Sequence, residues 1–183
     1  AESPVDENVL YAGTDDGMIQ VTTDGGANWT ETAAGSLRGV PDRASINDFE
    51  PSRFEAGTVY MALDNHKEGD FTPYLMRSDN FGRSWRMITN GLPEDQQVWR
   101  IVQDHENPNL LFIGTDFGVY FTLDGGDNWT QMTAGMPPIP ARDLLIHERE
   151  DDLVVGTVGR SIYALDDISA PREGTGDALE HES

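Results

Sequence analysis

Short apolar segments that are rich in β-branched residues recur along the chain, and polar turns separate them. Residues 9–14, 111–115 and 154–157 form compact apolar runs, and residues 18–23 and 119–123 alternate between apolar and polar side chains. Both patterns are typical of β-strands. No segment longer than about ten residues has the period of an amphipathic helix. The pattern therefore predicts an all-β protein.

These segments belong to an internal repeat. Residues 9–30 and 111–130 align closely, residues 59–86 form a divergent copy between them, and a fourth copy spans residues 153–166. The tryptophans that close the first three copies lie 56 and then 44 residues apart. A repeat of this length, with about four strands per copy, is typical of a β-propeller blade.

The turn that carries the tryptophan follows the pattern Ser/Thr-x-Asp-x-Gly-x-x-Trp. Two copies match fully and one has asparagine for aspartate: Thr22, Asp24, Gly26 and Trp29; Thr122, Asp124, Gly126 and Trp129; and Ser78, Asn80, Gly82 and Trp85. The aspartate can accept hydrogen bonds from backbone N–H groups of its own turn, the glycine permits a positive φ, and the tryptophan buries a large ring where two strands meet. We therefore expect these residues to be structural.

This turn resembles the Asp-box of bacterial neuraminidase-type (BNR) repeats, which occurs in sialidases, xyloglucan-degrading hydrolases, sortilin-type receptors and secreted bacterial propellers. Residues 156–169 look like the last blade of large bacterial proteins of the sortilin-like or BNR-repeat type, and the fourth copy lacks the box. The resemblance implies a β-propeller in which the box joins the third and fourth strands of a blade. It also implies that ligands bind on the opposite face.

The strands number about fourteen, or three and a half blades, starting at the second strand of one blade and ending at the third strand of another. We expect a propeller segment over residues 1–169, with blade units at about 9–45, 46–97, 98–141 and 142–169, followed by a flexible acidic tail over residues 170–183. Such a ring does not close. Further blades of a longer polypeptide are the favoured explanation, and completion by another copy or another chain is the alternative.

The charge balance excludes several classes of partner. The chain has 33 acidic and 12 basic residues, a net charge of −21 and no cysteine. Nucleic acid and anionic lipid both require a basic surface, and no apolar run is long enough to span a membrane. We expect no cofactor and no metal. The acidic, lysine-poor composition and the resemblance together favour a bacterial protein outside the cytoplasm.

The candidate ligand residues lie in the loops between second and third strands and in the loops between blades. The longest of these insertions, residues 65–73, carries the only lysine of the chain. A long loop on a rigid blade is a reasonable recognition element. The candidates are Asp15, Asp16, His66, Lys67, Asp70, Phe71, Asp116, Phe117, Arg142 and Arg160. Although Phe117 is among these candidates, we expect it to lie in the core rather than to form a ligand platform, as we expect of Tyr120, Phe121 and Trp99.

Three functions remain open at this stage. The favoured one is a non-enzymatic scaffold that presents loops to a protein or peptide within a larger assembly, with self-association as one way to cover open edges. The second is a fragment of a sialidase- or xyloglucanase-like glycoside hydrolase, with carboxylates chosen by position alone: Asp15, Asp16, Asp64, Asp70 and Asp116. Neither the arginine motif nor the Tyr–Glu pair of sialidases can be placed. The third is a glycan-binding module.

Overall fold

The part of the chain that the structure describes folds into fourteen strands arranged in four antiparallel sheets, which confirms the all-β prediction. A computed structural model describes residues 1–133, 136–159 and 162–172, apart from the side chain of Ala170. We call the four sheets blades 1 to 4 in chain order. Within the described residues, no helix has the length and apolar character needed to cross a membrane.

Blades 1 and 2 are formed by the first seven strands. Blade 1 consists of β1 (Leu10–Gly13), β2 (Met18–Thr22) and β3 (Thr30–Ala33). Blade 2 consists of β4 (Ser45–Pro51), β5 (Val59–Asn65), β6 (Asp70–Ser78) and β7 (Arg86–Met87). Within each blade, strands that follow one another in the chain are neighbours in the sheet.

Blades 3 and 4 repeat this meander. Blade 3 consists of β8 (Val98–Gln103), β9 (Leu111–Thr115), β10 (Gly118–Thr122) and β11 (Thr130–Gln131). Blade 4 consists of β12 (Ala141–His147), β13 (Asp152–Thr157) and β14 (Ile162–Leu165), and the short helix α1 (Ser169–Arg172) follows. The fragment of a propeller expected from the repeat is confirmed.

Each blade packs face to face on the next, so a strand in the middle of the stack is buried on both sides. In β5, Val59 and Met61 face the core shared with blade 1, whereas Tyr60 and Ala62 face the core shared with blade 3. Side chains alternate between the two faces of a strand, which explains why β5 is apolar throughout. A third core lies between blades 3 and 4. Among the described residues no core joins blade 4 to blade 1, so the stack is an open arc.

The inner edge of blade 1 is covered by the first residues of the chain. The backbone N–H of Tyr11 donates to the carbonyl of Ala1 at 2.8 Å, and that of Ser3 donates to the carbonyl of Val9 at 2.9 Å. A β-bridge also joins Glu2 to Leu10. Residues 1–3 therefore take the position that β4 has in blade 2.

The end of the described chain is held to blades 3 and 4 by Arg172. Its guanidinium forms two hydrogen bonds of 2.8 Å with the buried carboxylate of Asp104 and an ion pair of 2.8 Å with Asp151. Residues 173–183 of the predicted flexible tail lie outside the described residues. Arg172, which the prediction placed in that tail, is a packed residue with only 9% of its side chain exposed.

Candidate functional site

The box turns satisfy their polar groups internally. In the first turn, the Thr22 hydroxyl donates to Asp24 at 2.8 Å, the backbone N–H of Asn28 donates to the same carboxylate at 2.9 Å, and the N–H of Gly26 donates to the Thr22 hydroxyl at 3.0 Å. Hydrogen bonds from Asn28 and Thr22 lower the pKa of Asp24 to about 2. The other two turns repeat the pattern, with the amide oxygen of Asn80 replacing a carboxylate oxygen. This is the geometry expected of a structural turn.

The three box tryptophans differ in burial because each ring lies on the side of the preceding blade. Trp129 is buried between blades 2 and 3, and its indole N–H donates to the carbonyl of Ile88 at 2.7 Å. Trp85 packs against the core between blades 1 and 2. Trp29 has no preceding blade in the described arc and is 43% exposed. The expected burial therefore fails for the first copy.

The loop face lies at the opposite end of the strands from the box turns. It contains the hairpin tips between the second and third strands of each blade, such as residues 66–69. It also contains the first residues of β4, β8 and β12, the first strands of blades 2, 3 and 4, which we call the inner strands. The strand pairing brings the start of each inner strand next to a hairpin tip, because Ser45 pairs with Asp64, Val98 with Thr115 and Ala141 with Thr157.

Three β-bulges occupy equivalent places at the start of the inner strands. The pairing skips one residue in each strand: Asn47 in β4, Trp99 in β8 and Arg142 in β12. A bulge re-aims its side chain out of the regular alternation, and bulges are common beside functional sites. Three successive blades therefore present a bulged residue on the same face of the arc.

Trp99 is the centre of a cluster that joins blades 2, 3 and 4. The Arg142 guanidinium lies 3.5 Å from the centroid of the Trp99 ring, and the ring of His66 lies 5.9 Å from it at a tilt of 58°. The indole N–H of Trp99 donates to Asp116 at 2.8 Å, and Arg142 pairs with the same carboxylate at 3.4 Å. We call these four residues the Trp99 cluster. Its cation is held over an aromatic face and remains 41% exposed.

The residue after each bulge carries a charge, and the three charges alternate in sign. Arg100 of β8 pairs with Asp48 of β4 at 2.9 Å and with Asp143 of β12 at 3.3 Å. Beside Arg100 lies a cavity of about 560 Å³ whose lining includes Ala1 and Asn47. The ion pairs tie the inner strands of three blades together, so they hold the bulges in place.

The hairpin tips of blades 1 and 2 bring another group of predicted residues together. Lys67 pairs with Asp15 at 3.6 Å, and both lie with Asp16 and Arg43 around a cavity of about 180 Å³. The hydroxyl of Thr14 donates to Asp16. The group is exposed, so its ion pair adds little stability.

The remaining candidates are scattered. Asp70 accepts a hydrogen bond of 2.6 Å from Tyr74, and although burial raises its pKa, this bond and those from Thr72 lower the value to about 2. Phe71 and Phe117 are exposed, at 52% and 47%. The expectation that Phe117 lies in the core is wrong, because the residue lies in the turn between β9 and β10. Tyr120 and Phe121 are buried as expected. Arg160 lies outside the described residues.

Among the described carboxylates, two have a pKa that is raised overall, and both lie on β4 rather than at a hairpin tip. Asp48 accepts the backbone N–H of Ile101 at 3.0 Å, and Glu50 accepts that of Gln103 at 2.9 Å. Burial is the main cause of both shifts, and it raises the pKa of Glu50 to about 7. These side chains bond blade 2 to blade 3, so their raised pKa values have a structural cause.

Replacing Glu50 by glutamine is expected to stabilise the protein at pH 8 by about 1–2 kcal/mol, because the buried charge is removed while the acceptor for Gln103 is kept. In the wild type, the contribution of Glu50 to the free energy of unfolding is fully present below the unfolded-state pKa of about 4.3. It is lost as the pH rises through the folded-state pKa of about 7. Urea unfolding between pH 4.5 and 8 measures this. An equal response in the exposed-site control Glu94→Gln would contradict it.

The sequence did not identify Trp99, Asn47 and Arg100 as part of this face. A bulge depends on how one strand pairs with another, so single-strand alternation does not reveal it. An alignment of the three inner strands could have indicated these residues, because the three bulged positions fall at equivalent places in the repeat.

Comparison with known proteins supports the fold. No family model matches the chain. A protein of Neosartorya fischeri described as a probable oligoxyloglucan-reducing end-specific xyloglucanase is 24% identical over 169 residues, which cover 82% of this chain and 19% of that protein. The chain thus spans about a fifth of the length of this curated relative.

Two solved structures match at similar levels. The GH74 xyloglucanase of Xanthomonas campestris superposes with a TM-score of 0.72 and 22% identity, over 91% of this chain and 28% of that one. YCF48 bound to D1 peptide superposes with a TM-score of 0.65 and 16% identity, over 90% of this chain and 49% of that one. Both are β-propeller proteins. At these identities the likeness establishes that the chain has the fold of a propeller segment.

Proposed function

We propose that the chain is part of a non-enzymatic β-propeller scaffold whose loop face binds an extended segment of another protein. The observation that carries this proposal is the Trp99 cluster. It offers an immobilised, partly exposed cation beside aromatic surface, on strands that ion pairs hold in place. Aromatic and arginine side chains of this kind dominate the binding energy of protein interfaces.

Two further observations support a binding role. The candidate carboxylates of the loop face make local bonds: Asp116 binds Trp99 and Arg142, Asp64 pairs with His66, and Asp70 binds Tyr74. A general acid for glycoside hydrolysis needs a raised pKa beside the scissile bond, whereas the pKa of Asp70 is lowered to about 2. In addition, YCF48, a structural neighbour, has been solved with a bound peptide.

The test is a selection of 12-residue peptides displayed on phage against the whole chain, followed by titration of the recovered peptides. Replacing Trp99 by alanine is expected to weaken binding at least about tenfold, because the support of the Arg142 guanidinium is lost with the ring. Arg142→Ala is expected to do the same. Arg83→Ala changes an exposed arginine on the box face and serves as the control. Peptides that bind all three variants equally would refute the assignment.

A glycoside hydrolase fragment is the second candidate, and the similarity to xyloglucanases favours it. Incubation with xyloglucan oligosaccharides and with sialosides, followed by reducing-sugar and sialic acid assays, separates this function from binding alone. If hydrolysis is seen, Asp16→Asn, Asp70→Asn and Asp116→Asn test the carboxylates chosen by position. Binding of a sugar without hydrolysis would identify a glycan-binding module instead.

We also propose a more specific family and a location for the chain. The three box turns support a place among Asp-box propellers of the sortilin-like or BNR-repeat type. The similarity to a xyloglucanase supports a location outside the cytoplasm. The acidic, lysine-poor composition supports a bacterial source. Both are compatible with the binding role.

A further inference from the structure

A cavity of about 290 Å³ lies between blades 1 and 2, beside the box turns and away from the loop face. We call it the inter-blade cavity. The equivalent place between blades 2 and 3 is occupied by Ile88 and by the Trp129 ring, whose indole N–H donates to the Ile88 carbonyl at 2.7 Å. The same repeat therefore packs tightly at one interface and leaves a space at the other.

Thr32 is the first residue that makes this interface different. Three residues after the box tryptophan, blade 1 has Thr32 where blade 2 has Ile88 and blade 3 has Met132. Ile88 and Met132 are each 2% exposed in the cores that their blades share with the next blade. Thr32 is smaller and polar, and it lines the inter-blade cavity. A cavity remains where a core position lacks its large apolar side chain.

Phe81 is the second such residue. Its φ is 60°, and its counterparts in the other two box turns are Gly25 and Gly125, with φ values of 70° and 72°. Glycine adopts such a φ without strain, whereas a bulky residue rarely does. Strained residues of this kind are concentrated at binding and catalytic sites. Phe81 lines the inter-blade cavity as well, so both departures from the repeat meet at one place.

The indole N–H of Trp85 lacks the bond that its counterpart Trp129 makes to the preceding blade. It is buried and has no hydrogen-bond partner among the described residues. A Cβ placed on Gly82, which lines the cavity, would lie 3.3 Å from the Trp85 ring. Buried donors normally have a partner. Blades 1 and 2 are thus less completely joined beside the cavity than blades 2 and 3.

The wall of the cavity is rich in neutral polar groups. Thr23, Thr30 and Thr32 line it, and within the part of the chain that the structure describes their hydroxyls make no hydrogen bond. Val21 and Phe81 add apolar surface. A few hydrogen-bonding groups on a partly apolar wall are typical of small-molecule sites. This combination suits a ring that carries hydroxyl groups on a hydrocarbon frame.

The charges of the wall favour a neutral ligand. Asp24 and Arg83 both line the cavity, so a charged ligand of either sign is attracted by one of them and repelled by the other. The carboxylate of Asp24 already accepts hydrogen bonds from Thr22 and from the backbone and side chain of Asn28. It therefore offers little to the ammonium group of a zwitterion.

We propose that the inter-blade cavity binds one sugar ring of a neutral carbohydrate, with Phe81 as its apolar contact and the threonines of blade 1 as hydrogen-bond partners. Small-molecule sites have volumes of roughly 300–1,000 Å³, so a cavity of about 290 Å³ admits one ring rather than several. The Trp99 cluster lies on the opposite face. This is therefore a second site, independent of the proposed binding of a protein segment.

The experiment is saturation-transfer NMR on the 183-residue chain with the methyl β-glycosides of glucose, galactose and xylose, followed by titration. Thr32→Ile and Phe81→Gly install the residues that other copies of the repeat have, and each is expected to weaken binding at least about tenfold. Thr130→Ile makes the same change on β11, outside the cavity, and Trp99→Ala changes the loop face. Both controls should bind like the wild type. Tighter binding of the free sugars than of the methyl glycosides would identify a free sugar, rather than the end of a glycan, as the source of the ring.

Thermal unfolding shows whether each variant is folded, as expected for residues that the repeat already contains at these positions. A folded wild type that receives saturation transfer to none of the sugars would overturn the proposal. Binding that neither Thr32→Ile nor Phe81→Gly weakens would place the sugar elsewhere and reject the cavity as its site. Transfer to acetate or glycine but to no sugar would show that the ligand is charged, contrary to the proposal.

Discussion

Replacing Arg172 by alanine is expected to lower the free energy of unfolding by about 3–5 kcal/mol, because it leaves a buried carboxylate without its cation. Asp104 is fully buried, and Arg172 binds both of its oxygens. Burial raises the pKa of Asp104, but the hydrogen bonds from Arg172 outweigh this and hold the value below its usual range. Urea unfolding followed by circular dichroism at pH 7 measures the loss.

The pH dependence separates the lost ion pair from lost packing. The lowered pKa of Asp104 contributes stability that is present above about pH 4 and lost as pH falls further. In the alanine variant the uncompensated charge can be relieved by protonation, so the variant should lose less, relative to wild type, at pH 3.5 than at pH 7. Arg149→Ala removes a side chain that is 88% exposed and serves as the control. A pH-independent loss, or one near that of the control, would rule out this account.

The alternating pattern and the box turns were sufficient to predict the four sheets. Strands such as β5 are apolar on both faces, and the turns between them carry Asp, Asn and Gly at places where only local hydrogen bonds and φ matter. Gly26, for example, has a φ of 93°. Strands and turns can be predicted from the sequence because they depend on interactions between residues that lie a few positions apart in the chain.

The positions of Arg172 and Trp99 were not predicted from the sequence, because they depend on contacts between blades. Arg172 follows a proline and precedes a run rich in glycine and glutamate, which predicts a flexible tail, yet its partner Asp104 is 68 residues away in the chain. Trp99 has the apolar neighbours of a core residue, and only its bulge and the approach of Arg142 from blade 4 bring it to the loop face. His66, Asp116 and Arg142 were among the candidate loop-face residues, and the structure places them around the Trp99 ring, which was not a candidate.

Replacing Trp129 by alanine is expected to cost about 3–5 kcal/mol of stability. The side chain is 4% exposed in the core between blades 2 and 3, and its indole N–H is bonded to the carbonyl of Ile88 at 2.7 Å. The substitution leaves a cavity between two sheets and an unpaired carbonyl beside it. Urea unfolding followed by far-ultraviolet circular dichroism measures the loss without relying on tryptophan fluorescence.

Trp29→Ala provides the matched control, because the same residue of the same turn lies in a different environment. Trp29 is 43% exposed and its indole N–H donates to Gly26 of its own turn, so its loss is expected to cost less than about 1 kcal/mol. Packing between blades, rather than the turn itself, then accounts for the difference between the two variants. Equal losses for Trp29→Ala and Trp129→Ala would mean that the tryptophan stabilises its own turn, and the covered and uncovered faces of the arc would no longer explain the stability of the fold.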